Sequence, residues 1–244
     1  QGIGDRDYPG QYLYKFLLLH QLGDEEYVKL WDGETSWDRP EVREALDYAQ
    51  QLVALPGMPD VYTTMTLAES HRYFPTEEKA CMFLVGAWYT GRAFVPAEEG
   101  GQPKDFRLSF LDYPEMPNGV GNNQGFYGIG GSLAAAAMSQ NKDVATDIVS
   151  FFTQPKYANL WLSKTAVPTG LKIDAATMPE SEWKWYFEEY DKVNSDVDWR
   201  LIKTSECGDL IDAYTAVFNE GLPQDLMTVD EAVETLEEAR AKCQ

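Results

Sequence analysis

Helix-like and strand-like segments alternate along this chain, separated by proline and glycine, and together they predict an α/β protein. Three observations carry that prediction. Long windows repeat apolar residues at helical spacing, and shorter windows are continuously apolar or alternate with polar residues. No internal repeat or low-complexity linker interrupts the series.

Taken in order, "PGQYLYKFLLLHQLG" sets Leu13, Phe16, Leu17, His20 and Leu22 near helical spacing, with Gly23 as the stop. "SWDRPEVREALDYAQQLVALPG" predicts a second helix, capped by Ser36 or Asp38, with Pro40 in its first turn and Gly57 closing it. "TLAESHRYFPTEEKACMFLVG" reads as a short helix, a break at Pro75, and a buried strand over Met82–Val85. "FRLSFLDYPEMPNG" alternates before a proline-rich turn. "SLAAAAMSQNKDVATDIVSFFTQPKYANLWLSKTAVPTG" reads as strand, turn, helix, then a second helix ending near Gly170.

The last third is mostly helical, over Glu182–Val193, Gly208–Phe218 and Thr228–Lys242. Thr228 with Glu231 matches the S/T-x-x-E capping box. This tail must pack onto an earlier segment, since alone it has little against which to bury its apolar faces.

The 244 residues suffice for one large domain or two modest ones, and no run of about 18 apolar residues occurs. Forty acidic against twenty basic residues give a formal charge of −20, which repels phosphate backbones and argues against a nucleic-acid partner. The acid is spread along the chain, as on a solvated surface. Cys81, Cys207 and Cys243 lack metal-site spacing; either a Cys207–Cys243 bridge or free thiols fit. With only His20 and His71, neither a histidine-rich metal site nor a familiar catalytic triad is expected, and no cofactor is.

Four phrases, in order, resemble the extracellular solute-binding proteins of ABC importers, in the carbohydrate-binding branch related to maltose-binding protein. "YVKLWDGETSWDRPEVREALDYAQQLV" resembles that family's glycine turn, cap and following helix. "YFPTEEKACMFLVGAWYTG" is similar to its F-x-x-G-K-A-A-M…G-x-W passage, with Glu78 in place of a glycine and Cys81 in place of an alanine. "GIGGSLAAAAMSQNKDVATDIVSFFTQPKYANLWLSKTAVPTG" and "TVDEAVETLEEARAK" resemble two later helical passages.

The resemblance implies a two-lobed, type II periplasmic-binding-protein fold with a hinge, incomplete in one lobe because the family's usual N-terminal portion is missing ahead of Gln1. A fragment, a cleaved chain and a shortened relative all fit. It implies one helix-rich lobe from 1–108 plus 181–244, a hinge crossover at 109–113, and the remainder of the other lobe at 114–180. The implied function is carriage of a carbohydrate to permease subunits by a monomeric protein outside the cytoplasm, with ATP hydrolysis elsewhere. No G-x-x-x-x-G-K-S/T loop is present.

A sugar ring offers an apolar C–H face and a rim of hydroxyls, so its site needs aromatic cover and placed amides or carboxylates. The family motif sets Trp88, after Gly86, against a sugar ring, with Tyr89 beside it; burial beneath a turn is the competing role. In "GVGNNQGFYGIGG", Asn122, Asn123 and Gln124 offer amides beside Phe126, although a plain loop fits equally. Tyr8 is an aromatic candidate, and Glu206 and Asp209 are carboxylate candidates at a helix start. Trp183, Trp185 and Trp199 suit a cleft rim or, more conservatively, packing. A glycoside hydrolase would need a carboxylate pair that no motif isolates. Binding of a polyamine or peptide, and a helical adaptor, are further alternatives.

Overall fold

The computed structural model describes residues 2, 4–6, 10–55, 61–128, 133–167, 180–194, 196–201, 203 and 205–243. Its elements are α1 (Gln11–Trp31), α2 (Pro40–Val53), α3 (Leu67–Tyr73), α4 (Thr90–Ala93), β1 (Gln124–Tyr127), α5 (Lys142–Phe152), α6 (Pro155–Thr165), α7 (Lys184–Asn194), β2 (Asp198–Leu201), α8 (Gly208–Thr215) and α9 (Val229–Lys242). Short 3₁₀ turns lie at Ala87–Tyr89 and Ala97–Glu99, and a π-helical turn at Ala216–Gly221 follows α8. The chain is therefore mixed helix and strand, with β1 and β2 paired in parallel.

Two compact units share the chain. The first takes Gln1–Leu84, Asp112–Tyr127 and Asp196–Gln244; the second takes Val85–Leu111 and Gly128–Ser195. The backbone thus passes between them four times, at boundaries different from the lobe limits implied by the resemblance.

In the first unit, α1, α2, the π-helical turn and α9 bury Leu17, Leu18, Leu46, Val217 and Leu236 around an aromatic cluster. Trp31 meets Trp37 edge-on at 5.1 Å and Tyr214 at 4.5 Å, while Tyr14 stacks on Phe218 at 5.2 Å. Edge-to-face contact sets the positive ring rim against the negative ring face. A disulfide joins Cys207, the N-cap of α8, to Cys243, the C-cap of α9. In the second unit, Phe94 stacks on Trp183 at 4.1 Å and meets Tyr186 edge-on, while the Arg107 guanidinium lies 4.6 Å from the Trp185 ring centroid.

Several elements depart from the sequence expectation. α1 does not stop at Gly23 but breaks there (φ 72, ψ 165) and resumes to Trp31. Neither Ser36 nor Asp38 caps α2, which begins at Pro40 after Arg39. The Ser36 hydroxyl instead donates to Glu237 (2.8 Å), and Asp38 accepts from Arg43 (2.8 Å). Gly57 and Gly170 lie outside the described residues.

Met82–Val85 is in no strand. Met82 is 72% exposed, and Phe83 packs on Phe74 and His71, so contact with its own helical neighbours replaces a ladder. The alternating "FRLSFLDY" and the described part of "SLAAAAM" are likewise irregular. Short apolar runs become strands only when a second edge reaches them.

Candidate carbohydrate site

In the second unit, Gly86 precedes the 3₁₀ turn that carries Trp88 and Tyr89, and its carbonyl accepts from Tyr89 N–H (3.0 Å). The Trp88 indole folds back over Gly86: a Cβ there would lie 2.4 Å from its Nε1. The glycine is needed because the ring occupies the space of a side chain. Trp88 remains half-buried. Tyr89 goes inward, its hydroxyl donating to Gln102 Oε1 (3.0 Å), and burial raises its pKa. That environment makes Tyr89 part of the unit's packing.

In the first unit, the glycine-rich loop is held to the break in α1. Breaking the helix at Gly23 frees carbonyls from the i→i−4 ladder, and such groups need new donors. Gly121 N–H donates to the His20 carbonyl (2.9 Å), and Val120 N–H to that of Gln21 (3.5 Å). The approach is close: a Cβ on Gly121 would sit 2.3 Å from the Leu19 carbonyl oxygen, and one on Gly119 2.5 Å from that of His20. These glycines serve backbone contact.

Asn122 clamps the same loop. Its Oδ1 accepts from Met116 N–H (2.8 Å) while its Nδ2 donates to the Met116 carbonyl (2.9 Å). Buried His20 places Nδ1 3.0 Å from the Pro114 carbonyl oxygen and Nε2 2.9 Å from that of Gln124. This tethers both ends of the loop to α1.

β1 then pairs with β2 in the register Gln124↔Asp198, Gly125↔Trp199, Phe126↔Arg200 and Tyr127↔Leu201. Alternation along a strand divides these residues between two faces. Half-buried Phe126 meets Phe16 and Tyr27, each at 5.0 Å, on the inner face. Gln124 shares that face, as do Asp198 and Arg200, which form an ion pair. Asn123 is exposed immediately before β1, its carbonyl accepting from Asp198 N–H (2.9 Å). Gly125, Tyr127, Trp199 and Leu201 form the outer face.

Glu206 and Asp209 are exposed where α8 begins, and Asp209 stands in its first turn, where the helix dipole favours an acid. Tyr8 lies outside the described residues. Among the described residues no cluster of His, Cys, Asp or Glu is arranged to hold a metal ion. The structure thus groups Asn122, Asn123, Gln124 and Phe126 on one loop and strand, and Gly86, Trp88 and Tyr89 on one turn. Trp199, expected at a cleft rim or in packing, and Tyr127, in the glycine-rich passage, share the outer face of the strand pair, a pairing the sequence did not announce. The polar–aromatic alternation in "DVDWRL" was the available signal of the second strand.

No protein-family model and no curated protein matches the chain. Solved structures do. One, from work on xylan utilization by the thermophilic bacterium Caldanaerobius polysaccharolyticus, aligns with 97% of this chain and 59% of its own (TM-score 0.73, 17% identity). Another is a chitin oligosaccharide binding protein, aligned over 99% of this chain and 58% of its own (TM-score 0.71, 15% identity). The chain spans just under three fifths of the length of either structure, and over that span it has their fold.

Proposed function

We propose that this chain binds an oligosaccharide outside the cytoplasmic membrane and delivers it to the permease subunits of an ABC importer. The observation that carries this reading is the fold shared, over 99% of the chain, with a chitin oligosaccharide binding protein. Fold alone does not determine function, so the side chains must agree with it. Within the second unit, half-buried Trp88 seated on Gly86 supplies an aromatic surface for such a ligand. The Cys207–Cys243 disulfide suits an oxidising, extracytoplasmic setting, including that of a cell-surface lipoprotein. In this reading the chain has a two-lobed type II binding fold, acts as a monomer, and carries out no bond chemistry.

Calorimetric titration with chito- and xylo-oligosaccharides tests the proposal, with reducing ends assayed in parallel. Saturable binding without reducing-end release is expected, and Trp88→Ala is expected to weaken it about tenfold, or ~1.4 kcal/mol. Release of reducing ends, or no heat with any glycan, overturns the reading. Wild-type affinity in Trp88→Ala removes that ring from the site.

A further inference from the structure

His20 lies on α1 shortly before the break at Gly23, and only 3% of its surface is exposed. Its two ring nitrogens meet backbone carbonyl oxygens on both sides. Nδ1 stands 3.0 Å from that of Pro114, and Nε2 2.9 Å from that of Gln124. A carbonyl oxygen only accepts, and a neutral imidazole has one N–H and one bare lone pair. The neutral ring therefore satisfies one carbonyl and sets its lone pair against the other. Only the imidazolium, with an N–H on each nitrogen, donates to both.

Burial disfavours a cation, whereas hydrogen bonds made only by the charged form favour it. Among the described residues, the ring's polar contacts are these two carbonyls, and no carboxylate reaches it. Phe16 and Tyr113 meet it edge-on, each at 6.2 Å, and burial raises the pKa of the Tyr113 phenol, which stays neutral. Asp112 and Glu115 on the same loop are exposed. Asp24 lies beyond the break in α1, Glu44 of α2 accepts from Gln21, and Asp198 of β2 pairs with Arg200. The other histidine, His71, lies on α3 against Phe83. Histidine is the side chain that ordinarily changes charge between about pH 5 and 8, so titration in that range acts on this loop through His20.

The two carbonyls stand near the ends of one segment. The backbone enters the first unit at Asp112 and leaves it after Tyr127, with Pro114 close behind the entry and Gln124 close before the exit. We infer that His20 is a proton-operated clamp: as imidazolium it fastens the Asp112–Tyr127 segment to α1 at both ends, and as neutral imidazole it releases one of them. The middle stays attached in either state, through Gly121 N–H on the His20 carbonyl. The two-ended attachment is complete at acidic pH, and its contribution to stability is lost as pH rises and the ring gives up a proton. Because the segment carries Asn122, Asn123, Gln124 and Phe126, the seating of those residues follows pH. The inference stands apart from the oligosaccharide reading and is tested without a ligand.

Two-bond proton–nitrogen spectra of the full chain report the protonation of each ring nitrogen. The His20 signals are identified by their loss in His20→Gln or, by elimination, from those left in His71→Gln. Both His20 nitrogens are expected to be protonated at about pH 5.5 and one to lose its proton as pH rises. An unprotonated nitrogen at about pH 5.5 overturns the clamp, and a ring doubly protonated up to about pH 9 overturns its proton dependence. Between the two ring states, amide exchange over residues 114–127, corrected for its intrinsic pH dependence, is expected to accelerate about tenfold, the scale of one hydrogen bond to a charged group. His20→Gln is expected to show no such acceleration. Unchanged exchange in the wild type, or equal acceleration in His20→Gln, overturns the inference. The wild-type spectra and exchange decide the matter if His20→Gln fails to fold.

Discussion

Lys15 sets a cation inside the aromatic cluster of the first unit, its ammonium 4.8 Å from the Tyr214 ring centroid and 5.3 Å from that of Trp31. The rings attract the charge while burial opposes it, and burial prevails, pushing the pKa down to about 8. Between about pH 8 and the usual 10.5 the unfolded chain therefore binds a proton that the folded chain does not. Stability attributable to Lys15 rises with pH across that window. Lys15→Met is expected to raise the urea midpoint at neutral pH, by an amount on the order of 1 kcal/mol or more, and to flatten the rise. A lower midpoint at neutral pH would show that ring attraction outweighs desolvation. Nothing in "QYLYKFLL" announces this environment, because the rings around Lys15 come from α1 and, almost two hundred residues later, α8. Trp88 and Gly86 were legible as a pair because their contact spans two residues.

Helix ends were read from sequence best where the signal is local. Thr66 with Glu69 and Thr228 with Glu231 both form complete capping boxes, of which the second was expected. Thr228→Ala is expected to cost about 1 kcal/mol in urea unfolding, and Thr228→Asn to restore most of it. An unchanged midpoint in Thr228→Ala would mean that the interhelical packing of α9 alone sets its start. Where a signal needed a distant partner, the outcome differed. Ser36 suits an N-cap by type, but Glu237 of α9 captures its hydroxyl. Gly23 suits a helix stop, yet the freed carbonyls of α1 are met by the loop around Gly121 and the helix resumes. A strand over Met82–Val85 had the right composition and lacked a ladder among the described elements.

At the scale of the molecule, the Cys207–Cys243 disulfide closes a separation of 36 residues in the first unit. Chain-entropy reasoning assigns such a loop a stabilisation of about 4 kcal/mol. Reduction is expected to accelerate amide exchange in α8 and α9 while leaving α7, in the second unit, at its oxidised rate. Equal protection in α8 and α9 before and after reduction would show that their packing is sufficient. Cys81 is exposed and unbridged, so the odd cysteine that made the count ambiguous stands apart from the pair.

By itself the sequence determined the mixed helix-and-strand class, most helix positions, the Thr228 cap and the likeness to sugar-binding proteins. Each rests on contacts within a few residues or on the order of whole phrases. Only the tertiary structure decided that Asn122 clamps Met116, that Tyr89 turns inward, and that the chain divides at 84/85, 111/112, 127/128 and 195/196. It alone set Trp199 and Tyr127 on one face of the strand pair. That face exists because β1 and β2, more than seventy residues apart, meet in one register, and register is a property of two segments together.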